Sequence, residues 1–181
     1  MLMRSGDLIG RPVVDISTGN DVAEIRDVIF DSATGTLTGF TLRKRGFLGR
    51  RMKDVLALAG VVSVGREAVM ITSEDALVAP DDAPDDMATD KSADVLHDQV
   101  VTESGRWLGV VGDVVFSGGP NPKVVGFEIR DGPSGRGFVP IFIPSALSGS
   151  ALIVPDSYEH RIRSDLTGLG AEVSLIDGGD R

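Results

Sequence analysis

One stretch of this chain occurs twice, and that repetition constrains the fold more than any other feature. Residues 27–43 read DVIFDSATGTLTGFTLR, and residues 113–130 read DVVFSGGPNPKVVGFEIR. Each copy begins with Asp-Val-aliphatic-Phe, continues through turn-forming residues, and ends with aliphatic-x-Gly-Phe-x-aliphatic-Arg. Because long-range self-similarity is the signature of a duplicated structural unit, the chain is predicted to contain two similar domains.

Each copy is predicted to be all-β. In the first copy, residues 22–30 and 37–43 have the apolar pattern of strands, and DSATG between them favours a hairpin turn. A small barrel is the expected solution, because curling a short sheet removes its exposed edges. The remaining predicted strands lie at 7–15, 55–58 and 68–72 in the first copy, and at 95–101, 107–116, 124–130, 138–143 and 151–154 in the second.

A change of composition marks the predicted domain boundary. The sequence APDDAPDDMATDKS, residues 79–92, is acidic and proline-rich with few apolar residues, which is typical of a flexible linker. In the tail, AEVSLI at residues 171–176 alternates like an added strand. This strand could pair with a barrel edge or with a second chain, so a homo-oligomer is one of the possible assemblies. The predicted division is a barrel over 1–79, an acidic linker over 80–93, a second barrel over 94–156 and a short C-terminal tail over 157–181.

The residues also carry a resemblance. The segments DLIGRPVVD, VAEIRDVIFDSATGTLTGFTL, GFLGRR and AVMIT resemble the PRC-barrel family, which is named for the H subunit of the photosynthetic reaction centre. The resemblance runs through most of residues 7–79 and, more loosely, through 94–154. It implies two tandem PRC-type barrels that bind another protein or a membrane-associated assembly and share no catalytic centre. A likeness of fold alone is a weak argument for function.

The charge is concentrated in one place. The formal net charge is −9, and residues 81–98 carry seven aspartates against Lys91 alone. The predicted barrels are therefore nearly neutral, which disfavours nucleic acid as a partner. The chain has no cysteine, no long apolar run and no apolar region near its first residues. We therefore expect no disulfide, no membrane span and no signal peptide, and a cytoplasmic location.

No catalytic or metal-binding motif passes a spacing test. GFLGRRMK at 46–53 lacks the Walker A spacing, and GPSGRG at 132–137 lacks that of a nucleophile elbow. His97 and His160 stand alone in the sequence. The repeated Asp27 and Asp113 are expected to hydrogen-bond backbone in the adjacent hairpin. We predict a non-enzymatic protein without a catalytic residue, metal or cofactor.

The best candidate for a binding surface is the basic segment, which we define as residues 43–53, RKRGFLGRRMK. It holds one-third of the basic residues of the chain. Two alternatives stay open: its apolar tip could insert into a partner's groove or a membrane interface, or it could fold back on the barrel with the cations solvated. The candidate residues are Arg43, Lys44, Arg45, Phe47, Leu48, Arg50, Arg51 and Lys53.

One further candidate lies in the second copy. Trp107 begins the predicted long strand there, either exposed at an interface or covering the end of the barrel. Taken together, these features favour a docking or adaptor protein that binds an unidentified protein through its barrel surfaces and the basic segment. The alternative is peripheral binding to an anionic membrane or a ribonucleoprotein through the same segment.

Overall fold

The computed structural model describes residues 1–31, 34, 36–45, 50–85, 87, 92–119, 122–140 and 151–178. Within them the chain forms two β-sheets, one from each half of the sequence. Both are curled sheets of short strands, as expected for an all-β protein.

The N-terminal half opens with a short strand and a single helical turn, β1 (Leu2–Arg4) and α1 (Ser5–Leu8). Its sheet then has the order β6-β7-β2-β3-β4-β5-β8. The strands are β2 (Pro12–Asp15), β3 (Asp21–Phe30), β4 (Leu37–Arg43), β5 (Arg51–Ala57), β6 (Val61–Val64), β7 (Val69–Ile71) and β8 (Leu77–Val78).

The C-terminal half repeats this plan. Its sheet has the order β12-β11-β10-β9-β13, and β9 pairs in parallel with β13 as β2 pairs with β7. The elements are α2 (Ser92–Val95), β9 (Gln99–Thr102), β10 (Trp107–Ser117), β11 (Val124–Gly132), β12 (Gly135–Pro140), β13 (Ala151–Val154) and α3 (Leu166–Gly178). The duplicated stretch forms β3–β4 in one half and β10–β11 in the other.

The first residues of the chain belong to the other half's sheet. Strand β1 pairs antiparallel with β10, with Leu2 opposite Ser117. The Ser5 hydroxyl and the Gly6 N–H, 3.2 Å away, both donate to Asp113 Oδ1 on β10. We call residues 1–8 the exchanged segment, because β1 pairs with the opposite sheet and α1 donates hydrogen bonds to it.

Asp113 therefore has a structural role, with one more partner than predicted. Its Oδ1 accepts from the Val114 N–H at 2.8 Å, a backbone donor on a strand of the hairpin, and also from α1. Asp27 likewise accepts from the Val28 N–H at 2.8 Å. The repeated aspartate satisfies backbone donors at the place where a short helix meets the long strand.

One hydrophobic core spans both sheets. One continuous cluster of buried side chains includes Phe30 and Phe40 of the first copy and Phe116 and Phe127 of the second, with Leu8 of α1 among them. Units of this size bury little surface alone, so a shared core stabilises both. The repeated phenylalanines are fully buried, which explains why the repeat kept them.

Residues 7–15, predicted as one strand, are a helical turn followed by a strand. Helix α1 ends at Leu8, and Gly10 has a φ of 85°, in the left-handed region that glycine adopts readily. His97 has a φ of 73° at the matching point of the second half. The chain turns sharply at both positions before β2 and β9 begin.

The predicted strand at residues 171–176 is wrong, because this segment is part of α3. Leu166, Leu169 and Val173 follow helical spacing and pack against Val115 and Phe138 of the C-terminal sheet. Glu172 is buried on the same helix and pairs with Arg163, and with Arg161 at 3.7 Å. The apparent alternation was a short-range coincidence, and burial against the sheet decided the structure.

The proposed division into 1–79, 80–93, 94–156 and 157–181 stays a prediction. Within the described part of the acidic stretch, Pro80–Asp82 form a 3-10 turn, and Asp81 and Asp82 are exposed. The Met87 side chain lies over Gly39, since a Cβ there would be 2.6 Å from Met87 Cε. Residues on either side of the boundary thus contact the N-terminal sheet.

Candidate functional site

The basic segment connects two paired strands, β4 and β5. Arg43, the last residue of β4, lies opposite Arg51, the first residue of β5. The connection is closed by a hydrogen bond from the Lys44 N–H to the Arg50 carbonyl oxygen at 2.9 Å. Phe47 and Leu48, predicted as its apolar tip, lie outside the described residues.

Two of its arginines are held by carboxylates on the neighbouring strand. Arg43 Nε donates to Glu24 Oε2 at 2.9 Å, and Arg45 pairs with Asp21. Both carboxylates are on β3. Surface ion pairs of this kind contribute about 0–1 kcal/mol each, so they position the segment more than they stabilise the fold.

The other four cations point to solvent. Lys44, Arg50, Arg51 and Lys53 are exposed, and within the described part of the chain their side chains make no hydrogen bond or ion pair. A cation without an internal partner can meet an external anion without breaking an existing interaction. These four residues therefore form a positive surface on a chain whose net charge is −9.

Beside this surface lies a cavity of about 250 Å³, which we call the Thr41 cavity. Thr41 is 7% exposed and its hydroxyl has no hydrogen-bond partner. A buried, unpaired hydroxyl is unfavourable and is rare in folded proteins. The other residues that line it are mainly apolar, and three are charged: Ile29, Arg51, Met52, Lys53, Asp54, Val55, Pro80, Ala83 and Met87.

The matching position in the C-terminal half holds a buried carboxylate. The repeat aligns Thr41 with Glu128, since Thr41 lies opposite Asp27 and Glu128 lies opposite Asp113. Glu128 is 0% exposed. It accepts hydrogen bonds from Arg130 at 2.6 Å, Arg136 at 2.9 Å and Arg4 at 3.3 Å.

The surroundings of Glu128 favour its ionised form. Burial raises the pKa of Glu128, but hydrogen bonds from Arg136 and Arg130 and the charges of the arginines outweigh burial and bring its pKa below the ordinary value. The cations of β11 and β12, Arg130 and Arg136, are therefore used internally. Those at the end of β4 and the start of β5 are largely left for solvent.

Trp107 is in a different part of the molecule. It begins β10 opposite Val101 of β9, and its side chain is 43% exposed. Since the basic segment joins β4 to β5 in the other sheet, the structure does not bring these two candidates onto neighbouring strands. Its partial exposure fits the interface alternative better than the burial of a barrel end.

Two further properties follow from the described residues. Among them, no group of three or more His, Cys, Asp or Glu side chains could hold a metal ion. Of the helices they form, none is both long and apolar enough to cross a membrane.

Comparison with known families identifies the class of the first half. Residues 1–78 match the family model described as the PRC-barrel domain. A PRC-barrel domain is thus found at the N-terminus, and it covers all the strands from β1 to β8. In a search of curated proteins, none matches the chain. The family match gives the fold, and the site must be argued from its own residues.

Sequence reasoning found the basic segment but missed the cavity and Glu128. Charge density was enough to locate the cations, because six of them fall within eleven residues. Burial of Thr41 and Glu128 could not be inferred from composition. Aligning the two copies offered a signal, since Thr41 and Glu128 differ in charge within a segment whose neighbours match.

Proposed function

We propose that this chain is a non-enzymatic docking protein that binds an acidic surface of a partner protein through the basic segment of its PRC-barrel domain. We further propose that the C-terminal half is a second, diverged barrel of the same kind, and that the protein acts in the cytoplasm. The two halves would then form one rigid platform. Only the first would present a cluster of free cations.

One observation carries the proposal. Lys44, Arg50, Arg51 and Lys53 are exposed, with no side-chain partner among the described residues, while Arg43 and Arg45 are braced by β3. The Lys44–Arg50 hydrogen bond and strand β5 hold the backbone of these four residues, so binding costs little backbone entropy. Electrostatic complementarity then raises the rate of association with an acidic partner and lowers it at high salt.

Site-specific photocrosslinking in the native cell tests the proposal. A benzoylphenylalanine placed at position 44 or 50 is expected to form an adduct with one or a few discrete proteins. The same label at position 153 is the control, because Ile153 is exposed on β13, far along the chain from the basic segment. The adduct from position 50 is expected to disappear when Lys44→Glu and Lys53→Glu are introduced together.

Two results would overturn docking. Adducts that are identical from positions 44, 50 and 153, or that survive the charge reversal, would show that the basic segment selects no partner. Flotation with vesicles of phosphatidylcholine and phosphatidylglycerol decides the membrane alternative: salt-sensitive binding that is lost with Lys44→Glu and Lys53→Glu would favour a lipid surface.

A further inference from the structure

We propose that the Thr41 cavity binds the carboxylate of a glutamate on the partner protein, in the position that Glu128 fills within the C-terminal half. This inference rests on the proposed docking function and names the group that the partner inserts. It is carried by the comparison of the two halves, by the unpartnered Thr41 hydroxyl and by the cations beside the cavity.

The two positions are structurally equivalent. Thr41 pairs with Asp27 and Val55, and Glu128 pairs with Asp113 and Phe138, in sheets of the same strand order. Lys53 on β5 and Arg136 on β12 each come two residues before the partner of that position, Val55 and Phe138. The N-terminal half therefore retains a cation where the C-terminal half uses one to hold its own carboxylate.

The Glu128 site shows what the equivalent place accepts. Its carboxylate is fully buried and takes hydrogen bonds from three arginines, an arrangement that offsets the cost of removing the charge from water. Charge-assisted hydrogen bonds of this kind are about twice as strong as neutral ones. A carboxylate, more than a neutral group, is the natural occupant of such a place.

The Thr41 cavity has the complementary parts. Arg51 and Lys53 line the cavity, are exposed, and have no side-chain partner within the described residues. The Thr41 hydroxyl lies buried without a hydrogen bond. Asp54 also lines the cavity, so the charged lining residues are two cations and one carboxylate, with a net positive charge.

The apolar part of the cavity selects a side chain and not a free ion. Ile29, Val55 and Met87 form its apolar wall, which would cover the methylene groups of a glutamate while the carboxylate meets the cations. Met87 is unbranched and adaptable, so it can move from its place over Gly39 to admit the side chain. An acidic residue flanked by apolar ones is the expected recognition element.

The test is a titration of the isotopically labelled full-length protein, followed by amide chemical shifts. The probe is acetyl-Leu-Glu-Leu-amide, and the matched neutral control is acetyl-Leu-Gln-Leu-amide. The glutamate peptide is expected to shift the amides of residues 41 and 52–55 in a saturable way. The glutamine peptide is expected to bind about tenfold more weakly, the change that accompanies loss of one charge-assisted hydrogen bond.

Variants locate the binding. Replacing Arg51→Gln and Lys53→Gln together is expected to abolish the saturable shifts, whereas Arg26→Gln, an exposed cation on β3, is expected to leave them unchanged. Thr41→Glu supplies the chain's own carboxylate and is expected to block the peptide. If that variant does not fold, the pair at positions 51 and 53 decides the question, because both residues are exposed.

The outcomes separate this inference from the docking proposal. Equal binding of both peptides, or shifts that persist without Arg51 and Lys53, would overturn the carboxylate site. Photocrosslinks from positions 44 and 50 without any peptide shift would leave docking standing and remove the cavity from it. Peptide binding without specific crosslinks would support a carboxylate site in the Thr41 cavity and would overturn docking through the basic segment.

Discussion

Glu128 shows how one residue can make two copies of a repeat differ in their chemistry. It is fully buried, and three arginines keep its pKa below the ordinary value of a glutamate. The stabilisation is fully present above the unfolded-state pKa, roughly 4.3, and is lost as pH falls through the lower pKa of the folded state. The stabilisation is therefore present at pH 7, and only its loss is confined to acid conditions.

Glu128→Gln is expected to lower the free energy of unfolding by about 1–3 kcal/mol at pH 7, because the arginines lose a charged acceptor. The difference from the natural chain should shrink as the pH falls below the unfolded-state pKa, roughly 4.3, and through the lower pKa of folded Glu128. Urea unfolding at a series of pH values measures this. Glu103→Gln, an exposed residue, is the control, and an equal loss at pH 7 and pH 3 would contradict the ion-pair account.

At Thr41 we expect a substitution to change the free energy of unfolding in the opposite direction. Because its hydroxyl is buried and unpartnered, Thr41→Val should raise the free energy of unfolding by about 1 kcal/mol, since a methyl group removes an unsatisfied polar atom. Thr38→Val, at a partly buried residue on the same strand whose hydroxyl donates to the Ile29 carbonyl oxygen, should not stabilise. A destabilised Thr41→Val would mean that the hydroxyl has a partner.

At the scale of elements, α3 covers a face of the C-terminal sheet. Leu169 is fully buried, and a Cβ on Gly126 would lie 3.1 Å from its Cδ1. The helix thus fits closely over a mid-strand glycine, much as Met87 lies over Gly39 in the other half. The tail is part of the fold and not an appendage to it.

Leu169→Ala is expected to cost about 2–4 kcal/mol of unfolding free energy, the usual effect of a large-to-small change in a core. Thr167→Ala on the exposed side of the same helix should change it by less than about 0.5 kcal/mol. Thermal unfolding followed by circular dichroism measures both. Equal effects would show that α3 does not pack on the sheet in solution.

The elements also show where sequence reasoning holds and where it fails. Strands β3, β4, β10 and β11 could be predicted, because two copies of one alternating pattern with hairpin turns leave little choice. Helix α3 could not, since six alternating residues fit a strand locally and only the apolar face of the sheet selects a helix. The pairing of the exchanged segment with β10 could not be predicted either, because pairing between distant strands leaves no local signature in the sequence.

At the scale of the whole molecule, the continuous core predicts that both halves unfold together. The chain's one tryptophan, Trp107, lies in the C-terminal half, whereas far-UV circular dichroism reports on all the strands. We expect the two signals to give one coincident urea transition. Ile25→Val in the N-terminal sheet should shift the Trp107 transition by about 1 kcal/mol, and an unmoved transition would show independent halves.

The exchanged segment also determines how the protein responds to dilution. Two separate copies of the N-terminal half could complete each other only by trading residues 1–8, so their assembly would depend on concentration. Joining the halves in one chain makes that trade intramolecular, at an effective concentration of roughly millimolar or more. The tandem chain should therefore keep its two sheets joined at nanomolar concentration. At that concentration an isolated half would dissociate into monomers whose exchanged segment has no partner sheet and whose apolar surface is exposed.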